Sequence, residues 1–99
     1  MNMQKLMQEA AKMQRDITKK QEEINATNYE AQSGLVSIVL NGNKEIVSIK
    51  FDKNQINDAD DIDALEDMIK LAFNDAASKI DKDIESKLGV YAKGLNGLM

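Results

Sequence analysis

The chain has 99 residues, of which 42% are hydrophobic and 30% charged, and its formal net charge at pH 7 is −4. It contains no cysteine and no histidine, which excludes disulfides, zinc–thiolate sites, thiol catalysis and the commonest general base. A chain of this length predicts one domain that is too small to cover all its apolar surface alone, so self-association is expected.

The N-terminal segment predicts a long amphipathic helix. From Met3 to Ile24, apolar residues recur at spacings of three and four, as in a heptad, with Lys20 in the one slot that breaks the pattern. This apolar seam (residues 3, 6, 10, 13, 17 and 24) fits packing on a second copy of the helix and packing on a second helix of the same chain equally well. Interleaved charges do not fit a signal peptide, and no run approaches the roughly 18 apolar residues of a membrane span, so we expect a soluble cytoplasmic protein.

The middle of the chain predicts a small antiparallel sheet of three strands. Polar and apolar residues alternate from Thr27 to Gln32, which indicates a weak edge strand ending at Ser33-Gly34. The runs LVSIVL and EIVSIKF follow, separated by the turn dipeptide Asn41-Gly42. Residues 35–52 are therefore predicted to form a β-hairpin.

The two sides of this hairpin differ in their expected partners. With a two-residue loop, a helix is expected to cover the side that carries Val36, Ile38, Leu40, Val47, Ile49 and Phe51. The opposite side carries Leu35, Val39 and Ile46, which are too apolar to face water. Some further surface is expected to cover these three residues.

A second long helix is predicted after the hairpin. Asp58, Asp60 and Asp61 suit the positive N-terminus of a helix, and an apolar stripe runs from Ile62 to Ile84. Gly89 is predicted to end this helix. We therefore expect one α+β domain over residues 1–88 and a flexible glycine-containing tail over residues 89–99.

The carboxylate cluster DADDIDALED is the one candidate for cation chemistry. It lacks the glycine and the ligand spacing of an EF-hand loop, and acidic residues at a helix start ordinarily serve the helix dipole. No catalytic motif is present. The sequence therefore predicts no enzyme, metal, cofactor or small-molecule substrate.

The charges of the chain are polarised along its length. Residues 1–20 hold five basic and two acidic groups, whereas residues 45–67 hold two basic and eight acidic groups. On a helical projection at about 100° per residue, four of the basic residues fall within roughly an 80° arc on the side opposite the apolar seam. These four are Lys5, Lys12, Arg15 and Lys19, called the basic line below. Such a line fits a phosphate backbone, and it also fits an ordinary solvated helix surface.

The pattern of the whole chain resembles the YbaB/EbfC family of bacterial nucleoid-associated proteins. The resemblance rests on MQKLMQEAAKMQ, SGLVSIVLNGNKEIVSIKFD, DDIDALEDMIKLAFNDAASKI and the tail GLNGLM, in that order over nearly the whole chain. The glycine-rich stretch that usually precedes the strand in this family is reduced here to Ala31-Gln32-Ser33-Gly34. The resemblance implies a tweezer-like homodimer formed through the sheet, which would cover Leu35, Val39 and Ile46.

The resemblance also implies a cytoplasmic, nucleoid-associated protein that binds double-stranded DNA with little sequence preference. On this reading the basic line contacts phosphates, assisted by Lys79, Lys82 and Lys87, although neighbouring carboxylates are expected to pair Lys79 and Lys82. The alternative is a protein–protein adaptor that uses its amphipathic helices and associates with DNA indirectly. Substitutions in the basic line test direct DNA binding against the adaptor.

Overall fold

The computed structural model describes the backbone of residues 2–97 and the side chains of residues 2–91. The chain forms two helices and a three-stranded antiparallel sheet, which confirms the predicted α+β fold. The elements in chain order are α1 (Met3–Ala26), β1 (Tyr29–Ser33), β2 (Val36–Leu40), β3 (Ile46–Phe51), a short 3₁₀ turn (Lys53–Gln55) and α2 (Ala59–Gly97).

The core lies between α2 and the first two strands. Val36, Ile38 and Leu40 of β2 are fully buried, because alternate residues of a strand point to the same side and α2 covers that side. From α2, Ala72 and Ala76 lie in the same cluster, and their small side chains let the helix approach the sheet closely. The strand order β1-β2-β3 puts β2 in the centre and leaves β3 on an edge that α2 does not cover.

Helix α1 is attached to the rest of the fold at its C-terminal end. Its first turn is capped by Asn2, whose Oδ1 accepts hydrogen bonds from the amides of Gln4 and Lys5. Ile24 is fully buried, and Nζ of Lys20 lies 5.1 Å from the ring centroid of Tyr91 on α2. Residues 2–15 are exposed. The C-terminal part of the apolar seam therefore packs on α2 of the same chain, and its N-terminal part has no partner within the described residues.

The hairpin forms as predicted, but its turn differs from the predicted two-residue loop. Asn41 and Glu45 close a longer loop, in which Oδ1 of Asn41 accepts hydrogen bonds from the amides of Asn43 and Glu45. The positive φ of this loop, 63°, falls on Lys44 and not on the Asn41-Gly42 dipeptide. Gly42 is instead buried against the carbonyl of Ile24, where an added Cβ would collide with backbone atoms. Because residue 42 is a glycine, the hairpin loop can pack directly against the C-terminal end of α1.

A β-bulge changes which side of the sheet Ile46 faces. The pairing of β2 with β3 shifts between Val39 and Leu40, so that Ile46 lies opposite Leu40 and Val47 is the extra residue. Directly paired residues share a face of the sheet. The prediction that Ile46 shares a side with Val39 is therefore wrong, because the bulge moves it to the helix-facing side.

Helix α2 continues through Gly89, so the prediction that it ends there is wrong. A glycine stops a helix readily when it adopts positive φ, and among the described glycines that conformation belongs to Gly34, at 55°. Lys87 and Leu88 before it and Ala92 and Lys93 after it are good helix formers, and one interior glycine costs only about 1 kcal/mol. The backbone is helical to Gly97, and residues 98 and 99 lie outside the described part of the chain. The flexibility of the tail and the domain limits 1–88 stay predictions.

A polar link joins β1 to the middle of α2. The hydroxyl of Tyr29 donates a hydrogen bond of 2.5 Å to Oδ2 of Asp83, and Nζ of Lys87 lies 3.0 Å from the same oxygen. Burial, together with the adjacent carboxylate, raises the pKa of Tyr29 to about 12. The hydrogen bonds from Tyr29 and Lys87 lower the pKa of Asp83. The network fixes β1 to α2.

We expect the substitution Gly42→Ala to destabilise the fold by about 1–3 kcal/mol, because the atoms that the new methyl group meets belong to backbone and cannot rotate away. Urea denaturation measures this change. The matched control is Gly89→Ala, where the Cβ meets Cγ of Glu85 at 3.3 Å and the helix gains up to about 1 kcal/mol. Equal stability of the two variants would show that the contact between Gly42 and Ile24 does not constrain the fold.

We expect the free energy of unfolding to fall more steeply between pH 10 and pH 12 in the unmodified chain than in Tyr29→Phe. The pKa of Tyr29 is raised from 10.0 to about 12, so the unfolded chain loses its phenolic proton first and is stabilised as the pH rises. Denaturant titrations of both proteins across this range measure how the free energy of unfolding changes with pH. Because both proteins carry the same lysines, the contribution of the lysines cancels in the difference between the two curves. Parallel curves for the two proteins would contradict the role given to Tyr29.

Candidate nucleic-acid interface

The basic line forms one exposed row along α1. Lys5, Lys12, Arg15 and Lys19 are all exposed, and within the described side chains none of them has a carboxylate within 4.0 Å. Because the helix rises 1.5 Å per residue, the row is about 21 Å long. A DNA strand advances 3.4 Å along the axis per nucleotide, so the row spans about six phosphates. The geometry suits contact with a nucleic-acid backbone.

Lys20 does not belong to this row. It is half-buried, and its ammonium group lies over the ring of Tyr91. This cation–π contact helps to hold α1 against α2. This placement agrees with the position of Lys20 in the apolar seam, on the side away from the basic line.

The three lysines predicted on α2 have different surroundings. Nζ of Lys79 lies 2.6 Å from the carbonyl oxygen of Glu30 and 3.7 Å from Asp75. Lys87 pairs with Asp83. Lys82 is exposed and has no ion pair among the described residues. Of the three, Lys82 is therefore the one whose charge is most available to a ligand.

The contact of Lys79 with β1 is a role that the sequence analysis missed. The two partners are 49 residues apart in the chain, so no local spacing pointed to it. The ammonium group donates to a backbone carbonyl on an edge strand, which is one of the ways in which proteins keep sheet edges from pairing. Lys79 thus protects the β1 edge.

The acidic cluster at the start of α2 serves the helix terminus. Oδ1 of Asp58 accepts a hydrogen bond from the amide of Asp61 at 3.0 Å, and Oδ2 of Asp61 accepts one from the amide of Asn57 at 2.9 Å. These carboxylates therefore satisfy backbone donors at a positive helix end. Among the residues whose side chains are described, no acidic group of three or more has the arrangement of a metal site.

The three residues predicted for a dimer interface are not on one surface. Val39 is half-buried on the side of the sheet away from α2, here called the open face. Leu35 is half-buried at the turn between β1 and β2, with its amide 3.4 Å from Sδ of Met68. Ile46 is exposed on the helix-facing side of β3.

The open face is mainly polar. A shallow depression of about 390 Å³ lies on it, and Val39 is surrounded there by Glu30, Gln32, Ser37, Ser48 and Lys50. Such a surface does not require a partner to keep it from water. The exposed apolar residues of the sheet belong to β3 instead.

The described part of the chain contains no helical stretch apolar and long enough to cross a bilayer. Both helices carry charges throughout their length.

Comparison with known proteins agrees with this geometry. A model of the YbaB/EbfC DNA-binding family matches residues 1–95. A nucleoid-associated protein of Ligilactobacillus salivarius is 38% identical over 100 residues, with 99% of this chain and 95% of the relative covered. One from Streptococcus suis is 40% identical over 94 residues, covering 93% and 94% of the two chains.

Among solved structures, the crystal structure of the uncharacterized protein HP0035 from Helicobacter pylori has the same fold. Its TM-score is 0.68 at 21% identity, with 100% of this chain and 99% of that chain covered. The family model and the relatives extend over nearly the whole length. The chain therefore belongs to the YbaB/EbfC DNA-binding family, a family of nucleoid-associated proteins and not of enzymes.

Proposed function

We propose that this protein is a homodimer that binds duplex DNA through phosphate contacts from the basic line, with little sequence preference. The observation that carries the proposal is the exposed row of four cationic side chains on α1, without carboxylate partners among the described residues. Contacts to phosphate position a protein on DNA and carry no sequence information of their own. A row of lysine and arginine on one helix face supports backbone binding of this kind.

The net charge of −4 does not oppose such binding, because the largest acidic cluster, at the start of α2, lies far from the basic line. The contact between Lys20 and Tyr91 puts the docked end of α1 beside the later part of α2. Asp63 precedes Tyr91 by 28 residues of continuous helix, which is about 42 Å along the axis. The Debye length at 0.1 M salt is about 10 Å, so the acidic start of α2 is screened from a ligand on α1.

Two copies would present two basic lines to one duplex, so a homodimer would bind DNA more tightly than a single chain. Lys82 adds an accessible charge on α2, while Lys79 and Lys87 would contribute less because their ammonium groups are engaged within the chain. The relatives that are named nucleoid-associated support a location at the nucleoid.

A second candidate function is a protein–protein adaptor, and one observation favours it. Met3, Leu6, Met7 and Met13 are exposed on α1. Methionine side chains adapt to varied apolar surfaces, so these exposed apolar residues of α1 suit an amphipathic helix of another protein. Recovery of one stoichiometric partner after nuclease treatment, together with no binding to purified DNA, would favour the adaptor.

We expect the affinity for duplex DNA to fall steeply with salt. If two basic lines make eight phosphate contacts, the logarithm of the association constant falls with the logarithm of salt concentration with a slope of about −7. Gel-shift or fluorescence-anisotropy titrations on mixed-sequence duplexes between 50 and 200 mM salt measure this slope. Failure to bind at the lowest salt would contradict the proposal.

The double variant Lys12→Glu/Lys19→Glu is expected to weaken binding at least 100-fold. It removes two phosphate contacts from each copy, so the slope of affinity against salt should lose the contribution of about four contacts. The matched control is Lys53→Glu/Lys70→Glu, which changes the net charge equally at two exposed positions away from α1. The control should retain most of the affinity. Equal losses in the two variants would assign the effect to net charge and not to the basic line.

A further inference from the structure

The exposed side of α1 is divided lengthwise by its lysines. Lys5, Lys12 and Lys19 follow one another at intervals of seven residues, so they form one straight row, called the lysine row below, that drifts by only about 20° per interval. Glu9 and Asp16 lie about 40–60° from this row, on the side of the apolar seam. Between residues 2 and 19 the carboxylates of α1 are therefore confined to one flank of the lysine row.

The other flank of the lysine row carries hydrogen-bond donors. Gln8 and Arg15 lie about 40–60° from the row and Gln4 lies about 80° from it, all on the side away from Glu9. These three residues, called the donor flank below, are exposed. A side-chain amide both donates and accepts, and a guanidinium offers five donors in a planar fork. A polyanionic ligand is therefore favoured on the donor flank and repelled on the flank that carries the carboxylates.

Arg15 is the only arginine among the 13 basic residues of the chain. The ammonium group of a lysine acts as a point charge, which is sufficient to neutralise a phosphate. A guanidinium fork also matches two acceptors at a fixed separation, such as O6 and N7 on the major-groove edge of guanine. Within the basic line, Arg15 is thus the residue best suited to contact a base.

The free part of α1 has the dimensions of a ligand for the major groove. Residues 2–15 are exposed. A helix with its side chains is about 10–12 Å wide, which a major groove of about 12 Å admits and a minor groove of about 6 Å does not. The apolar seam lies about 160° from the donor flank, so it faces out of the groove when the donor flank faces the bases. The lysine row then lies along one wall of the groove, beside the phosphates.

We propose that α1 lies in the major groove of duplex DNA, with Arg15 donating to O6 and N7 of a guanine and Gln8 bonded to N6 and N7 of an adenine. This inference rests on the proposed function and adds base contacts to its phosphate contacts. Gln8 and Arg15 are about 10.5 Å apart along the helix axis, which matches three base-pair steps of about 3.4 Å each. Phosphate contacts still supply most of the affinity, so the preference for such a purine pair is limited to about tenfold.

Duplexes that contain 7-deazaguanine test the contact of Arg15. This base lacks the N7 acceptor in the major groove, and it leaves the Watson–Crick pairing and the charge of the duplex unchanged. We expect the unmodified chain to bind a mixed-sequence duplex about tenfold more weakly when every guanine is replaced by 7-deazaguanine. The variant Arg15→Gln should bind the two duplexes equally. Fluorescence anisotropy measures the four affinities.

The matched control is Lys12→Gln, which removes the same charge from the same helix at an exposed position. It should weaken binding to both duplexes by the same factor, and the difference of about tenfold between them should remain. Because Lys12 and Arg15 are both exposed, neither substitution disturbs the core.

Duplexes that contain 7-deazaadenine test the contact of Gln8 in the same way. Gln8→Ala should lose the difference between the adenine and 7-deazaadenine duplexes. Gln14→Ala is the control and should keep this difference, because the amide of Gln14 donates to the hydroxyl of Thr18 at 3.4 Å and lies outside the donor flank.

The outcomes separate the base contacts from the phosphate contacts. Equal affinities of the unmodified chain for the guanine and 7-deazaguanine duplexes would overturn the base contact of Arg15 and leave phosphate binding standing. A difference that persists in Arg15→Gln, or that Lys12→Gln abolishes as well, would overturn the role given to Arg15. Failure to bind any duplex at low salt would overturn the proposed function itself.

Discussion

The close packing of α2 on β1 and β2 is the contact on which the rest of the structure depends. Ala72 and Ala76 bring the helix near the sheet, and Ile80 continues the buried contact toward the hairpin loop. The same helix then receives α1 beside Lys20 and Tyr91. Helix α2 thus packs on the sheet to form the core, and it also holds the C-terminal end of α1. Because α2 contacts β1 and β2, the side chains of Ile46, Val47 and Ile49 on β3 stay exposed.

The largest acidic cluster of the chain and its basic line lie far apart in the fold. Six acidic residues gather at the start of α2, where Asp58 and Asp61 satisfy backbone amides. The basic line lies on the outer face of α1, beyond the reach of that cluster. An acidic protein can in this way present a cationic surface, since screened electrostatic interactions depend on local and not on net charge.

The sequence predicted the element order, the hairpin and the apolar seam, because these follow from local periodicity and turn residues. It misplaced Ile46 because a bulge inserts one residue and reverses the alternation, and nothing local in Ile46-Val47 signals it. It ended α2 at Gly89, where the helix continues because neighbouring helix formers outweigh one glycine. The contacts of Lys79 and Gly42 could not be predicted because they join residues that are distant in the chain.

The one-sided attachment of α1 gives the helix a gradient of local stability. Residues 3–15 of α1 are exposed and have no tertiary contact among the described side chains that would hold them, and isolated helices of that length are marginal in water. Their helicity is therefore propagated from the docked end at Ile24. Amide hydrogens should exchange progressively faster toward Met3, and mutual repulsion within the basic line should add to this fraying. A polyanion that neutralises the basic line would thus also order the N-terminal part of α1. Part of the binding free energy is then used to complete a helix that is only partly formed in the free protein.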